Sequence, residues 1–520
     1  MSLKLVYIVL FLSVVYFVSK KIEFEYRSRS KGCKPAASIS RKMLGLDFAF
    51  NMLQAMKEHR SNGFMGNIFD QNGKKTIRID VPWQPSILTA EPENIKSILA
   101  TNFDSFGLEP IRHDNLEEMF GDGIFTLDGH AWSFARSLLR PQFSRDRVSD
   151  LNLFEHHFQN MIKLIPKDES ITVDMQELFF RLTNDAATEF LFGESTNSLL
   201  DGKDNFAGSF NTGQEILGKR FILADLYWLY RPSKLIEACK NVHGHIRPFV
   251  ESAIRANKGH EKKKQTKMNN NNNDDNNDDL NSSSNEEEGQ QTKKYVFLHQ
   301  LAKKTNNPKQ LQDQLLNVLL AGRDTTASLL SWTVWVLSTR SDVFEKLRKE
   351  ILGTCGIHPP NYTQIRSMKY LRNVLNEVLR LWPIVPINGR MALRDTQIPV
   401  GGGKDEKSPI FVPKGTTVNY SVHYLQRDKK WYGEDADVFD PERWYHWAPE
   451  AWTYLPFNGG PRICLGQQFA LNEASYTLIR LLQYYEKIEN RQPNGVKELV
   501  TLIMSCHGGV HVGLTRAGDI

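Results

Sequence analysis

The segment 311–338 constrains this chain more than any other. Its 28 residues are apolar nearly all round, and a helix of that length is about 42 Å long. A helix apolar on every side belongs inside a protein or a membrane. Membrane crossing is excluded, because Arg323 and Asp324 sit at its middle and neither side offers about 18 uncharged residues. The chain must therefore wrap other helices around a buried one. At the centre of the segment stand Ala321, Gly322, Arg323, Asp324, Thr325 and Thr326. Glycine and paired threonines weaken a helix. A local rule broken in the middle of a central helix marks a functional site.

The rest of the chain agrees with a mainly helical fold carrying a small β portion. Strand-like runs occur at 76–81 and 85–88, and the pattern after residue 300 is mostly helical until a proline- and glycine-rich stretch at 396–418. A second helix is expected over 369–382, ending at Pro383, with Leu371, Val374, Leu375, Val378 and Leu379 as its core stripe. Glu377 and Arg380 are three apart and share a face. Taken alone they read as a solvated ion pair. No internal repeat is visible. Residues 269–290 hold nine asparagines and seven acidic residues, too polar to order themselves. The chain thus divides into an amino-terminal segment, 1–35, and one large domain, 36–520, interrupted by a disordered Asn/Asp/Glu-rich insertion at 261–294.

With 24% charged residues and a net charge of +5 from 65 basic and 60 acidic side chains, nothing suggests the basic face that nucleic acid requires. Five cysteines, at 33, 239, 355, 464 and 506, show no CxxC spacing. A disulfide framework or zinc ribbon is not expected. The apolar run 5–19 is preceded only by Lys4 and followed by Lys20, Lys21, Arg27, Arg29, Lys31 and Lys34. Fifteen helical residues span about 22 Å against a hydrocarbon core of about 30 Å, so the run needs Met1 to Lys4 and a snorkelling Lys4 to approach spanning length. Positive charge after the run, and no small-residue cleavage site directly behind it, read as an uncleaved signal anchor with the body of the protein in the cytosol. Cys33 reads as a spectator thiol. Asn281, Asn361 and Asn419 begin Asn-x-Ser/Thr triplets that stay unglycosylated in that topology.

The segment 457–466 holds Phe457, Gly460, Arg462, Cys464 and Gly466. Gly459, Gly460 and Pro461 form a tight turn, and a helix with the stripe Leu471, Ala474, Leu478 and Leu481 follows. A cysteine before a helix amino terminus is favoured as thiolate, although a lone cysteine is more often a small core side chain. Five fixed positions in ten residues make the pattern specific.

That loop resembles the cysteine loop of the cytochromes P450, and further signatures follow in the family's order. Trp132 and Arg136 resemble its haem-contacting helix. Residues 321–326 resemble its oxygen-activating motif. Glu377 with Arg380 matches its helix pair, and the run from Phe439 through Arg443 to Trp444 its further arginine motif. The resemblance covers roughly 40–515, the insertion excepted. It implies the cytochrome P450 fold and a haem-thiolate monooxygenase. Cys464 would be the proximal ligand of heme b (iron protoporphyrin IX), an axial thiolate that favours O–O cleavage. Trp132, Arg136, Arg390 and Arg462 would meet the propionates. Asn388 and Gly389 precede Arg390 where related sequences carry a bulkier residue. Asp324 and Thr325 would be the acid–alcohol pair that delivers protons, while Arg323 packs outward or pairs with an acid. Glu377, Arg380 and Arg443 would form a buried structural network.

Segments beginning at Glu91, Gly121, Ala321, Ser408, Trp431 and Leu455 further resemble the alkane-inducible cytochromes P450 of yeasts, which hydroxylate n-alkanes and fatty acids at the terminal carbon. Ala321 stands where animal fatty-acid ω-hydroxylases often carry a glutamate esterified to haem, so haem is expected to be held without that link. A narrow channel drawn from 103–125, 383–388 and 504–507 would position the chain end. Arg112 or His113 would meet a carboxylate, or remain solvated loop charges. The resemblance implies electrons from a separate NADPH–cytochrome P450 reductase, with cytochrome b5 as a further donor, and a single-pass location in the endoplasmic reticulum membrane. The competing reading within the fold is a hydroxylase of sterols or secondary metabolites.

Overall fold

The computed structural model describes residues 3–39, 46–81, 84–144, 150–200, 205–271 and 296–518. They fall into two compact units that alternate along the chain. The first is Met1–Pro110, Asn373–Cys464 and Lys497–His507; the second is Ile111–Arg372, Leu465–Val496 and Gly508–Ile520. Most described residues are helical, and the strands form small sheets.

The first unit carries the main sheet. Its six strands run in the order Ala37–Ser38, Thr76–Val81, Gln84–Thr89, Thr417–Ser421, Ile387–Ala392 and Phe106–Gly107. Thr76–Val81 and Gln84–Thr89 pair antiparallel with Ile77 opposite Leu88. The alternate isoleucines Ile77 and Ile79 turn to the core with Ile87, Ile98, Val412 and Val418, as period-two burial requires. The proline- and glycine-rich stretch 396–418, to which the sequence assigns no element, holds the strands Thr396–Gly402 and Ser408–Val412, paired antiparallel, and the start of Thr417–Ser421. Its glycines permit close approach. Gly401 has φ +103°, and a Cβ there would lie 2.5 Å from Cβ of Thr76. Such a position has no use for a side chain, which hides the strand from any reading based on hydrophobic pattern.

The amino-terminal helix is continuous over Leu3–Ser30. Its end docks on this unit: Arg27 Nη1 donates to Asp395 Oδ2 at 2.5 Å, and the ring of Phe24 lies 5.6 Å from that of Phe411. Among the described residues no helix is long and apolar enough to cross a membrane.

The second unit is built on the helix Pro308–Thr339, three residues longer at its start than expected and one at its end. Asn307 caps it by accepting from Gln310 N, with Pro308 in the first turn, where a missing N–H costs nothing. Leu311, Leu315, Leu316, Leu319, Ala327 and Leu330 are buried around it. The helices Met175–Phe192 and Gln467–Tyr484 are likewise largely buried. Of the polar insertion, the described part up to Asn271 continues the helix Ser233–Asn271. The remainder, with Asn281, lies outside the described residues.

Candidate functional site

Cys464, Arg390 and Arg462 lie in the first unit, whereas Trp132, Arg136, Ala321, Asp324 and Thr325 lie in the second.

In the first unit the cysteine loop is fixed by its backbone. The Cys464 N–H donates to Phe457 O at 3.0 Å, and Ile463 N to Gly460 O at 3.0 Å, closing a turn over Gly460–Arg462. Gly460 has φ +68°, and a Cβ there would stand 1.9 Å from the carbonyl oxygen of Leu99. No other residue fits that position without moving backbone. Cys464 is exposed, while the other four cysteines are buried and none forms a disulfide. Structural cysteines are buried and inert, whereas ligating and nucleophilic ones are accessible, and of the five Cys464 has that accessibility. Arg462 is half-buried. Arg390 is buried; its Nη1 donates to Gly389 O at 2.6 Å and Asn388 Oδ1 at 3.3 Å, while its Nε has no protein partner. A buried guanidinium nitrogen without a partner is costly, and a propionate would satisfy it. The exposed thiol and the incompletely satisfied arginine fit a haem.

Glu377 and Arg380, read alone as a solvated pair, are wholly buried. Arg380 donates to both Glu377 oxygens and its Nη1 to Gln426 O at 3.0 Å. Arg443 Nε, Trp444 Nε1 and Asp440 N donate to the same carboxylate at 2.9, 3.0 and 2.9 Å. This is the buried network that the resemblance implied. In the same unit, Met504 N donates to Ile384 O at 2.8 Å, which brings together the expected substrate segments 383–388 and 504–507.

In the second unit, Trp132 is buried with the half-buried Arg136 guanidinium 5.9 Å from its ring. The long helix runs unbroken through 321–326. Thr325 Oγ1 donates to Ala321 O at 2.7 Å, and its oxygen keeps acceptor capacity. Asp324 is buried; its Oδ2 accepts from Gln214 Nε2 at 2.5 Å and its Oδ1 lies 3.4 Å from Arg323 Nη1. Arg323 thus pairs with an acid and stays buried. Thr326 is buried and faces Glu473, whose carboxyl has no hydrogen-bonding partner of good geometry. Burial raises Glu473 to about 8, the Thr326 hydroxyl only tempering the rise.

The loop 121–125 is held on the long helix. Asp122 N donates to Asp313 Oδ2 at 3.0 Å and Phe125 N to Asn317 Oδ1 at 3.1 Å. His113 stands among acids, with Nε2 3.0 Å from Asp122 Oδ1 and Nδ1 3.4 Å from Asp114 Oδ1. Burial alone would depress it, but Asp122, Asp114 and Glu117 hold it raised. Acidic surroundings oppose capture of a substrate carboxylate and favour the solvated-charge reading.

Gln214 and Glu473 were not foreseen. Glu473 gives a faint signal, as a lone acid in the otherwise uncharged first half of the helix after the cysteine loop; Gln214 gives none, a glutamine being ordinary on an amphipathic helix.

The family model described as cytochrome P450 matches residues 44–504. Cytochrome P450 52A13 of Debaryomyces hansenii is 40% identical over 525 residues, covering 97% of this chain and 96% of its own. Cytochrome P450 52A3-A of Candida maltosa is 39% identical over 526 residues, covering 96% and 95%. Cytochrome P450 52A1 of Candida tropicalis is 44% identical over 444 residues, covering 81% and 76%.

Proposed function

The chain belongs to the cytochrome P450 family, and on that premise we propose a monooxygenase that hydroxylates the terminal carbon of n-alkanes and fatty acids. The observation that carries the monooxygenase reading is the exposed Cys464 on its glycine turn, in a chain that also keeps Asp324 and Thr325 together on its longest buried helix. The substrate class rests on the resemblance of the segments at Glu91, Gly121, Ser408 and Leu455 to the alkane-inducible yeast enzymes.

Cys464 would hold the iron of heme b, and Arg390, Arg462, Arg136 and Trp132 the propionates. Thiolate-ligated haem, when bound, supplies the activation of dioxygen. The side chains do the rest. Asp324, buried beside Arg323, takes protons from the solvent side, and the Thr325 hydroxyl carries them inward. Each turnover consumes one dioxygen, two electrons and two protons, and yields one alcohol and one water. No Gly-x-Gly-x-x-Gly dinucleotide fingerprint occurs in the chain. The resemblance to membrane-anchored members of the family supports electrons from a separate NADPH–cytochrome P450 reductase, with cytochrome b5 as a further donor. Ala321 offers no carboxyl to esterify haem. The apolar run 5–19 and the basic residues behind it support a single-pass anchor in the endoplasmic reticulum membrane with a cytosolic body. Its apolar part ends before Phe24 and Arg27, which dock on the folded body.

Microsomes holding this protein, reductase and NADPH, supplied with n-alkanes and fatty acids of graded length, should yield terminal alcohols or their oxidation products by mass spectrometry. A thiolate-type carbon-monoxide spectrum without any lipid product would overturn the substrate reading. Sterols and secondary metabolites would then be tested as substrates.

A further inference from the structure

Among the described residues, His156, His157 and Glu189 bring three metal-ligating side chains together, and none of them belongs to the machinery assigned above. One ligand atom from each lies within 4.8 Å of the other two. The histidines stand on the helix Asn152–Leu164 and Glu189 in the last turn of Met175–Phe192. Adjacent helical residues diverge by about 100°, yet the two rings fold together, their centroids 5.0 Å apart.

His157 is 1% exposed, and its Nε2 lies 2.7 Å from Glu189 Oε2. That approach is out of line for a hydrogen bond, so both ring nitrogens lack a hydrogen-bonding partner. A buried polar group left unsatisfied is costly. Towards a carboxylate, a neutral ring presents either an N–H, here misaligned, or a lone pair, which repels. A cation between them answers both. Glu189 is itself out of place: the carboxyl end of a helix carries partial negative charge and disfavours an acid, and this helix has no basic residue in its last turn. The histidine helix is held by its own contacts. Glu155 accepts from Arg480 Nε at 3.0 Å and from Tyr476 Oη at 2.6 Å, and the ring of Phe154 meets that of Phe469 edge-on at 5.4 Å. All three partners lie on the helix Gln467–Tyr484, so the ligands are positioned before any ion arrives. His156 is exposed, which gives an ion its path in from solvent.

We propose that His156, His157 and Glu189 bind one divalent metal ion of the zinc class, which fastens the helix Asn152–Leu164 to the helix Met175–Phe192. Two imidazoles and a carboxylate suit zinc and its neighbours, whereas magnesium and calcium take oxygen ligands. A tetrahedral ion with bonds of about 2.1 Å sets its ligands about 3.4 Å apart. The edge between His157 and Glu189 therefore opens slightly and the wider ones close, which side-chain rotation allows. Three protein ligands leave the fourth position to water. Both imidazoles bind as neutral rings, so any proton on them leaves for solvent as the ion enters, and no electron moves.

The test dialyses the full-length, haem-loaded protein against micromolar zinc and counts zinc against haem iron by elemental analysis. The parent should hold one zinc per haem more than His156→Ala or Glu189→Gln. His156 is exposed, so its alanine variant keeps the fold. Each variant should weaken zinc binding by about 100-fold or more, since losing an outer partner of a ligand alone costs about 10–100-fold. Zinc should raise the melting temperature of the parent and of neither variant, and magnesium should raise none. X-ray absorption at the zinc edge, which does not see haem iron, should show imidazole around the bound ion. No zinc on the parent, equal uptake by parent and variants, or a shell without imidazole would overturn the site; equal uptake would assign the metal to other histidines, such as the stacked pair His59 and His507. Zinc bound without any rise in melting temperature would overturn the fastening of the two helices.

Discussion

Arg380 grips the Glu377 carboxylate with two donors, Nε at 2.8 Å and Nη2 at 2.7 Å, where neither side chain reaches solvent. The same carboxylate accepts from Arg443, Trp444 and Asp440 N, so one acid ties the helix Lys369–Leu381 to the segment 440–444. Removing one partner of a buried pair strands the other charge, at about 3–5 kcal/mol. Glu377→Gln should therefore lower the melting temperature sharply and reduce haem content, since Arg380 loses its counter-charge and Arg443 keeps only Asp435, 3.1 Å from its Nη2. Calorimetry and the haem-to-protein ratio check this; a variant as stable and as haem-replete as the parent refutes it.

Cys464→Ala should behave differently. The thiol is exposed, and the loop is held by the Cys464 N–H to Phe457 O and by Gly460, all of which alanine keeps. Surface substitutions away from such supports change stability by about 0.5 kcal/mol or less. The expected outcome is a folded protein that lacks the carbon-monoxide spectrum of thiolate-ligated haem. Retention of that spectrum would remove Cys464 from the ligand role.

Thr325→Ala removes the hydroxyl and its bond to Ala321 O without a buried charge. Loss of a positioned proton carrier typically costs about 10²-fold or more in the step it serves. NADPH consumption should continue while product per NADPH collapses, and Thr325→Ser should restore coupling. Full coupling in the alanine variant would end the proton-delivery role.

How much of this was legible in the sequence follows from what each residue needs. The long helix was, because Leu311, Leu315, Leu319 and Leu330 are apolar whichever way they face. The cysteine loop was, because Gly460 and Cys464 are each irreplaceable at a fixed spacing. The strands Thr396–Gly402 and Ser408–Val412 were not, because close backbone approach at Gly401 leaves no side-chain pattern to read. The burial of Glu377 and Arg380 came through resemblance alone, since a Glu and an Arg three apart look the same on a wet surface. Gln214 and Glu473 acquire meaning only from what other helices place against them, Asp324 in one case and Thr326 in the other.

Glu473 makes the last prediction, one of pH. Its carboxyl is buried in the helix Gln467–Tyr484, and burial lifts it from 4.5 to about 8. Between those values the folded chain keeps a proton that the unfolded chain has released. Stability is therefore greatest below the unfolded value and declines as pH rises towards 8, by an amount on the order of a few kcal/mol. Glutamine is neutral at every pH and nearly the same shape. Glu473→Gln should melt at the same temperature as the parent at about pH 5, and at a higher one at about pH 8. Parallel melting curves across that range would mean that Glu473 is ionised in the folded protein, its charge paired by a cation or solvated by water beside Thr326.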